Sequence, residues 1–388
     1  MTLDRLTDRA AGCLAGAAVG DALGGATEGW TPDQIRQRWG GWVTGVVGPY
    51  HPDWRTARPI APYHKGDGHI TDDTLMTRLL AEVYTERRDH LDAYDIAESL
   101  VPRMIGQPVW IPELESTALP LQRVFLAEKY LALRLHWAHA DPREAGVGNA
   151  VNCGAAMYMA PVGVVNAARP DRAYAEAIEI AGAHQASYGR EAAGVFAAAV
   201  AAAMAPGATA ESVVAVCLEL AKDGTRAAIE AVAEAAATLP DWEKAITSGA
   251  LRDAVRPFDT VADTYRDQGL GARRPSRVHA IEELPVALGL LLIADGDWSG
   301  TVFGAVNYGR DTDSIASMGG AIAGALGGLA AVPADLVEQV GRASRLDLAE
   351  PGVALAEVAR EVFARDSARH AEQAALLAAL GGPAGEPA

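Results

Sequence analysis

Two short acidic motifs, far apart in the chain, carry the residue types best suited to chemistry. One is Thr71-Asp72-Asp73, which follows a glycine, and the other is Asp311-Thr312-Asp313-Ser314, which also follows a glycine. Each motif stands where the pattern predicts the start of a helix. Capping alone would stabilise such a helix by a few tenths of a kcal/mol to about 1 kcal/mol. Neighbouring carboxylates nevertheless repel each other unless a cation or a donor lies between them.

Together the two motifs offer carboxylate and hydroxyl oxygens, without the sulfur or imidazole ligands that zinc prefers. Oxygen ligands of this kind suit Mg²⁺, Mn²⁺ or Ca²⁺. Four aspartates around two divalent ions are close to neutral, which makes their burial tolerable. Without the ions, their mutual repulsion would destabilise the fold. The sequence therefore predicts a metal site built from both motifs.

A third candidate is Glu28, which follows the segment Gly20-Asp21-Ala-Leu-Gly24-Gly25. One interpretation is a helix that ends in a glycine cap, with Glu28 on the surface beyond it. The other is a loop carboxylate close to the metal site, where it would activate or orient water. The spacing does not decide between the two.

The elements that must position these residues are predicted to be helices. Residues 6–23 form one helix, with glycines every four residues on a face that another backbone can approach closely. Thr31-Pro32 predicts a capped short helix that ends near Trp39. Residues 40–70 are rich in glycine, proline and aromatic side chains, which predicts a long loop with a functional role.

Helical periodicity continues through most of the remaining chain. It resumes at Asp72, with interruptions near Pro112 and Pro120, and predicts long Ala-rich helices over 173–205 and 208–237. Two more helices are predicted over 334–347 and 352–378. No alternating pattern long enough for a strand is visible. We therefore predict an all-α protein with a single catalytic domain over 1–379 and a flexible tail over 380–388.

Composition and charge exclude several classes of function. Half of the chain is apolar and only 6% is aromatic, which favours packed helices. The net charge of 33 − 50 = −17 disfavours binding to a nucleic acid duplex or an anionic membrane. The uncharged run 315–332 is mostly Ala and Gly, so we interpret it as a core helix rather than a membrane span. Three distant cysteines, Cys13, Cys153 and Cys217, predict a cytoplasmic protein without disulfides.

In their order and spacing over roughly residues 8–330, the motifs resemble those of the ADP-ribosylglycohydrolase family. The matching segments are Gly-Asp-Ala-Leu-Gly with Glu28, Thr-Asp-Asp-Thr-x-Met, Asn152-Cys-Gly-Ala-Ala-Met157, and Gly-Arg-Asp-Thr-Asp-Ser. The resemblance implies an all-α fold with a central cleft that holds two Mg²⁺ or Mn²⁺ ions. It also implies hydrolysis of an N- or O-glycosidic bond at ribose C1″.

The resemblance assigns roles to individual residues. Catalysis would fall to Glu28, Asp72 and Asp313, with Asp313 bridging both ions and Asp21 orienting ligands or ordered water. The implied metal ligands are Thr71, Asp72, Asp73, Asp311, Asp313 and Ser314. The implied substrate-binding residues are Asp21, Asn152, Gly154, Met157, Tyr158, His184 and Gly309.

Three departures from the family pattern leave the substrate open. Tyr158 stands where the family usually has an arginine, Cys153 interrupts the usual Asn-Gly, and Ala183 replaces a threonine before His184. The first hypothesis is release of ADP-ribose from a small molecule or a modified protein. The second is hydrolysis of a free nucleoside, nucleotide or other small N-glycoside, favoured by Tyr158 and the aromatic loop. The third is a catalytically silent ADP-ribose-binding regulator, which would not need a complete set of hydrolytic residues.

Other polar residues have ordinary structural interpretations. His136 and His139 have no second histidine pair or nearby carboxylate in sequence, so we interpret them as structural. His64 and His69 precede the Thr-Asp-Asp motif more closely, yet we interpret both as loop residues. We interpret Cys153 as a small buried thiol rather than a nucleophile.

Overall fold

Helices dominate the computed structural model, which describes residues 3–56, 64–150, 152–258 and 280–381. The predicted all-α class is confirmed. A π-helical turn over Ile96–Leu100 joins two of the early helices. The N-terminal helices are α1 (Arg5–Gly25), α2 (Pro32–Trp39), α3 (Asp72–Arg87), α4 (Ala93–Asp95) and α5 (Val101–Gly106).

A short hairpin follows, which the sequence pattern did not predict. Strands β1 (Val109–Ile111) and β2 (Ser116–Ala118) are antiparallel, with Trp110 opposite Thr117. Three residues per strand are too few for an alternating pattern to be recognised. Helices α6 (Pro120–Arg123) and α7 (Leu126–Ala132) come next, and α7 continues into a π-helical turn over Leu133–Trp137.

The predictions of single helices over 173–205 and 208–237 are wrong, because each range contains two helices. The first breaks around Ser187, whose φ of 60° is left-handed, and the second breaks before Asp223, whose φ is 44°. Alanine on both sides of each break conceals it in the sequence. The helices of this region are α8 (Ala160–Val165), α9 (Pro170–Gly182), α10 (Tyr188–Ala203), α11 (Ala210–Leu220), α12 (Asp223–Ala236), α13 (Trp242–Ser248) and α14 (Ala250–Val255).

The C-terminal helices carry the second acidic motif. Within the described residues, no helix combines the length and the apolar character needed to cross a bilayer, and the run 315–325 is buried in the core. Most of the tail predicted over 380–388 lies outside the described residues. The helices are α15 (Glu283–Ile293), α16 (Trp298–Tyr308), α17 (Thr312–Gly327), α18 (Ala334–Ser344) and α19 (Glu350–Leu380).

The glycine face of α1 packs directly on α17; the four-residue spacing predicted a close backbone contact on this face, but not which helix makes it. A Cβ atom at Gly16 would overlap the carbonyl oxygen of Gly320, and one at Gly20 would overlap that of Ala316. Glycines therefore allow the two backbones to touch along several turns. This contact places the C-terminal half of α1 beside the first turn of α17, where the second acidic motif lies.

Both acidic motifs open helices, as predicted. Thr71 is the N-cap of α3, and its hydroxyl accepts a hydrogen bond from the backbone N–H of Asp73 at 3.3 Å. Asp311 is the N-cap residue of α17, but its side chain makes no capping hydrogen bond. The Asp311 carboxylate is therefore not used for capping.

Candidate metal centre

Asp313 is the point at which two groups of buried ligand atoms meet. Glu28, His64 and Asp313 bring one ligand atom each within 4.8 Å of one another, and so do Asp21, Asp73 and Asp313. All five side chains are buried. The structure thus brings together predicted residues from α1, α3 and α17, which lie far apart in sequence.

Asp21 holds the start of α3 against α1. Its carboxylate accepts hydrogen bonds from the backbone N–H and hydroxyl of Thr71, at 3.0 and 2.6 Å, and from the N–H and hydroxyl of Thr74. Burial and the charge of Asp313 raise the pKa of Asp21, although these hydrogen bonds act in the opposite direction. Asp21 therefore positions Thr71 and Thr74, and its role in orienting metal ligands or ordered water stays a prediction.

Asp73 has the surroundings expected of a carboxylate that binds a cation. Burial, followed by the charges of Asp313, Asp21, Asp72 and Asp311, raises the pKa of Asp73 well above its ordinary value. Its Oδ1 atom is buried and has no hydrogen-bond partner within the described part of the chain. A buried carboxylate oxygen of this kind is costly unless an ion or a donor satisfies it. The residues present therefore fit a divalent ion bound by oxygen ligands.

Asp72 points to a different neighbour from Asp73. Its Oδ1 lies 3.1 Å from Nη1 of Arg123, a fully buried residue at the end of α6 that also pairs with Glu113. Asp72 belongs to neither of the two ligand groups around Asp313. Its roles as metal ligand and catalytic residue therefore stay predictions.

Glu28 is buried at the centre rather than exposed beyond the helix. Its Oε2 lies 2.7 Å from Nε2 of His64. The same Nε2 lies 3.1 Å from Oδ2 of Asp313, and Nδ1 of His64 lies 3.0 Å from Oε1 of Glu113. Burial lowers the pKa of His64, but the charges of Glu113 and Asp313 outweigh it and raise the pKa to about 10. These carboxylates therefore favour the protonated form of His64, whose Nδ1 also lies 2.7 Å from Nη2 of Arg123. Our interpretation of His64 as a loop residue was incomplete, because its side chain belongs to the centre.

Asp311 and Ser314 lie against Cys153 on another side of the centre. Asp311 Oδ2 is 3.6 Å from Cys153 Sγ, and Ser314 is hydrogen-bonded to the same thiol. Glu283, at the start of α15, completes a third group of ligand atoms with Cys153 and Asp311, again within 4.8 Å. The predicted ligands therefore fall into neighbouring groups rather than one shell.

The segment predicted to bind substrate borders this third group. Asn152 Oδ1 accepts hydrogen bonds from the Gly154 N–H and the Gln185 side-chain amide, at 3.0 and 3.1 Å. A Cβ at Gly154 would overlap Oε1 of Glu128, which is buried beside it. These contacts fix the turn that carries Cys153 to the Asp311 side of the centre.

Three other predicted substrate-binding residues are buried. Met157 and Tyr158 lie in the core, and the Tyr158 hydroxyl lies 3.0 Å from Nδ1 of His184. Burial lowers the pKa of His184 to about 3, so its imidazole is neutral. In this arrangement the three side chains line the protein interior, and substrate contact by them stays a prediction.

Gly309 lies between Trp30 and the second acidic motif. Its φ of +83° is left-handed, and a Cβ there would overlap the carbonyl oxygen of Trp30. Trp30 stacks on Tyr50 with ring centroids 3.4 Å apart. An aromatic surface therefore lies next to the turn that delivers Asp311.

Sequence reasoning missed several charged residues that surround the predicted ligands. None belongs to a recognisable motif. They lie in the hairpin and on helices whose positions in space cannot be predicted from the hydrophobic periodicity of the sequence. Their burial was the only available signal, and it appears only in the structure. These residues are Glu113, Arg123, Glu128 and Glu283.

Comparison with known proteins agrees with this architecture. The sequence model of a family described as ADP-ribosylglycohydrolase matches residues 2–371. A solved structure titled "ADP-ribosylglycohydrolase-related protein complex" is 22% identical, covers 92% of this chain and 100% of its own, and superposes with a TM-score of 0.60. At that identity, the likeness shows the fold alone. No curated protein matches the chain.

Proposed function

Because the chain belongs to the ADP-ribosylglycohydrolase family, we propose that it is a metal-dependent hydrolase that releases ADP-ribose from an ADP-ribosylated substrate. The family supports a glycohydrolase. The finer proposal is that the scissile bond is a ribosyl N- or O-glycosidic bond and that two Mg²⁺ or Mn²⁺ ions are required. We also propose that the protein works in the cytoplasm.

The observation that carries this proposal is the convergence of buried carboxylates on Asp313. Asp21, Asp73 and Glu28 all reach it from other segments, and one oxygen of Asp73 has no hydrogen-bond partner among the described residues. When bound, the divalent ions would hold the cis-diol of a ribose and polarise a water molecule. A fold that only needed stability would not bury these carboxylates together.

The chain's own residues have distinct tasks in this proposal. Cleavage of a glycosidic bond passes through an oxocarbenium-like state, which nearby carboxylates stabilise electrostatically. Glu28 would accept a proton from the attacking water. His64, 2.7 Å from Glu28, would hold that carboxylate in place. Asp21 would keep Thr71 oriented through its two hydrogen bonds with that residue.

Isothermal titration with ADP-ribose tests the proposal directly. Protein treated with EDTA is titrated without ions, with Mg²⁺ and with Mn²⁺, and release of ADP-ribose from modified proteins and peptides is then followed. We expect ion-dependent binding and ion-dependent release. Binding without turnover on any ADP-ribosylated substrate would indicate a regulatory binding protein instead.

A second candidate function is hydrolysis of free nucleosides, nucleotides or other small N-glycosides. It is favoured by the stacked Trp30 and Tyr50 rings beside the turn at Gly309, because aromatic faces stack on bases. Turnover of arginine- or serine-linked ADP-ribose is compared with turnover of free nucleosides under the same ion conditions. Preference for nucleosides, with no ADP-ribose binding, would replace the first proposal with this one.

A further inference from the structure

Cys153 lies where the chain departs from the family's usual Asn-Gly, and its side chain points at the metal centre. The residue is 1% exposed. Its Sγ atom is 3.6 Å from Oδ2 of Asp311, and it is hydrogen-bonded to Ser314. Two of the residues predicted to bind an ion thus contact this sulfur.

Cys153 is also one of three ligand atoms that converge from different segments. Sγ of Cys153 and carboxylate oxygens of Glu283 and Asp311 all lie within 4.8 Å of one another. Glu283 is fully buried at the start of α15. A thiolate and two carboxylates form a donor set that binds ions such as Zn²⁺, Cd²⁺ or Co²⁺ better than an all-oxygen set does.

A second observation indicates that a cation belongs here. Asp73 Oδ1 is buried and lacks a hydrogen-bond partner within the described ranges. Asp73 belongs to the neighbouring ligand group that meets at Asp313, two residues along the chain from Asp311. A cation between Sγ of Cys153 and the Asp311 and Glu283 carboxylates would balance the negative charge that is buried on this side of the centre.

The other two cysteines show what an ordinary buried thiol looks like in this protein. Cys13 and Cys217 are fully buried in the hydrophobic core, and burial is the main cause of the raised pKa at each. No carboxylate contributes to either shift. Packing alone therefore explains Cys13 and Cys217 but does not explain a thiol surrounded by carboxylates.

We propose that the Cys153 thiolate is a ligand of the ion held by Asp311 and Glu283, so that one of the two ion positions prefers a thiophilic divalent metal. This inference rests on the metal centre of the proposed function. On binding, the thiol proton is released to solvent and a sulfur–metal bond forms, with no change of oxidation state.

Cobalt spectroscopy tests the ligand assignment. EDTA-treated wild-type protein, Cys153→Ser and the matched control Cys217→Ser are each titrated with Co²⁺. We expect a sulfur-to-cobalt charge-transfer absorption in the near ultraviolet for the wild type and for Cys217→Ser, and its loss in Cys153→Ser. Visible d–d bands report cobalt bound by any ligand, and circular dichroism checks that each variant is folded.

The affinities for different ions, and the protons released on binding, give an independent measurement. Replacing Cys153 by Ser should lower Cd²⁺ affinity at least about 10-fold, because a sulfur ligand is lost, and should lower Mg²⁺ affinity much less, because Mg²⁺ prefers oxygen ligands. The wild type should also release one more proton per bound Cd²⁺ than the variant. Cobalt d–d bands without charge transfer in the wild type would overturn the role of Cys153 and leave the metal centre intact. Absence of any ion binding would overturn both.

Discussion

At the scale of single residues, Asp313 connects more of the centre than any other described side chain that we predicted as a ligand. It lies 3.1 Å from His64 and 3.4 Å from the Thr71 hydroxyl, and its charge raises the pKa of both Asp21 and Asp73. A carboxylate shared by two ligand groups has the position that a bridging ligand needs. The bridging role that the family resemblance implies for Asp313 stays a prediction.

We predict that Asp313→Ala loses bound ions and activity together, because both ion positions lose a shared ligand. Ion content after reloading with Mn²⁺, measured by elemental analysis, is compared with turnover. Asp335→Ala, on an exposed position near the start of α18, is the control and should keep both. Retention of two ions by Asp313→Ala would remove the bridging assignment.

Glu28 provides a separate test of the chemistry. Glu28→Gln keeps the size of the side chain and an oxygen that can accept a hydrogen bond from His64, but it cannot accept a proton. We expect ion affinity to stay near wild type while kcat falls by at least about 100-fold, the low end of general acid–base contributions. Turnover close to the wild-type rate would exclude Glu28 from the chemical step.

At the scale of elements, the contact between α1 and α17 determines where both sets of ligands lie. Asp21 follows Gly20 on α1, and Asp313 is in the first turn of α17. Because the two backbones touch through glycines, any added side-chain atom must push the helices apart. The distance between the ligand groups therefore depends on residues that carry no chemistry.

We predict that Gly20→Ala destabilises the protein by about 1–3 kcal/mol, the usual cost of overpacking, and also weakens ion binding. The reason is that its Cβ would overlap the backbone oxygen of Ala316, which cannot rotate away. Denaturant unfolding and Mn²⁺ titration measure the two effects. Gly45→Ala is the control, because a Cβ there meets no atom within 4 Å. Equal stability of both variants would contradict the close packing.

The elements also show which parts of the fold the sequence can predict. Strong local signals, such as Thr31-Pro32 and the glycine spacing of α1, gave correct starts and correct packing faces. The breaks near Ser187 and Asp223 were missed because alanine favours a helix on both sides. Tertiary contacts, such as the hydrogen bonds of Gln185 to Asn152, hold the first break open.

The same distinction applies to the centre. Asp73 and Asp313 were predictable because each belongs to a compact motif at a helix start. His64 and Glu113 were not, since each stands in an irregular segment and is paired with residues far away in sequence. A long-range ion pair leaves no periodic trace in either partner. Charged residues buried against the predicted ligands can therefore be found only from the structure.

At the scale of the whole molecule, ion binding should stabilise the folded state, because the residues that form the centre come from α1, α3 and α17. An ion that binds only the folded protein at about 100 times its Kd adds about 2.7 kcal/mol. We expect Mg²⁺ or Mn²⁺ to raise the Tm of EDTA-treated protein, and Asp313→Ala to abolish the increase. An equal increase in that variant would show that the ions bind elsewhere.

Ion pairs of His90, far from the metal centre, join the last helix to the rest of the protein. His90, after α3, has Nδ1 2.6 Å from Glu176 on α9 and Nε2 3.1 Å from Asp366 on α19. Burial and the charge of Arg172 lower the pKa of His90. The hydrogen bonds of His90 with both carboxylates and the charge of Glu176 have the larger effect, so the pKa is raised above 6.5. Protonated His90 therefore bridges two acidic groups from separate helices.

The raised pKa gives a defined pH dependence of stability. Below about pH 6.5 His90 is protonated in both the folded and the unfolded state, so its full contribution is present. As the pH rises through the raised folded-state pKa, the folded protein loses this proton and the contribution disappears. We predict that the stability difference between wild type and His90→Gln is largest near pH 6 and shrinks as the pH increases. Denaturant unfolding across this range measures the difference.

The control is Arg88→Gln, which removes another contact between the same loop and α19 through Glu361. Arginine stays charged throughout this pH range, so the effect of this substitution should not change with pH. A difference for His90→Gln that stays constant with pH would show that packing, not the charge of His90, holds α19 in place.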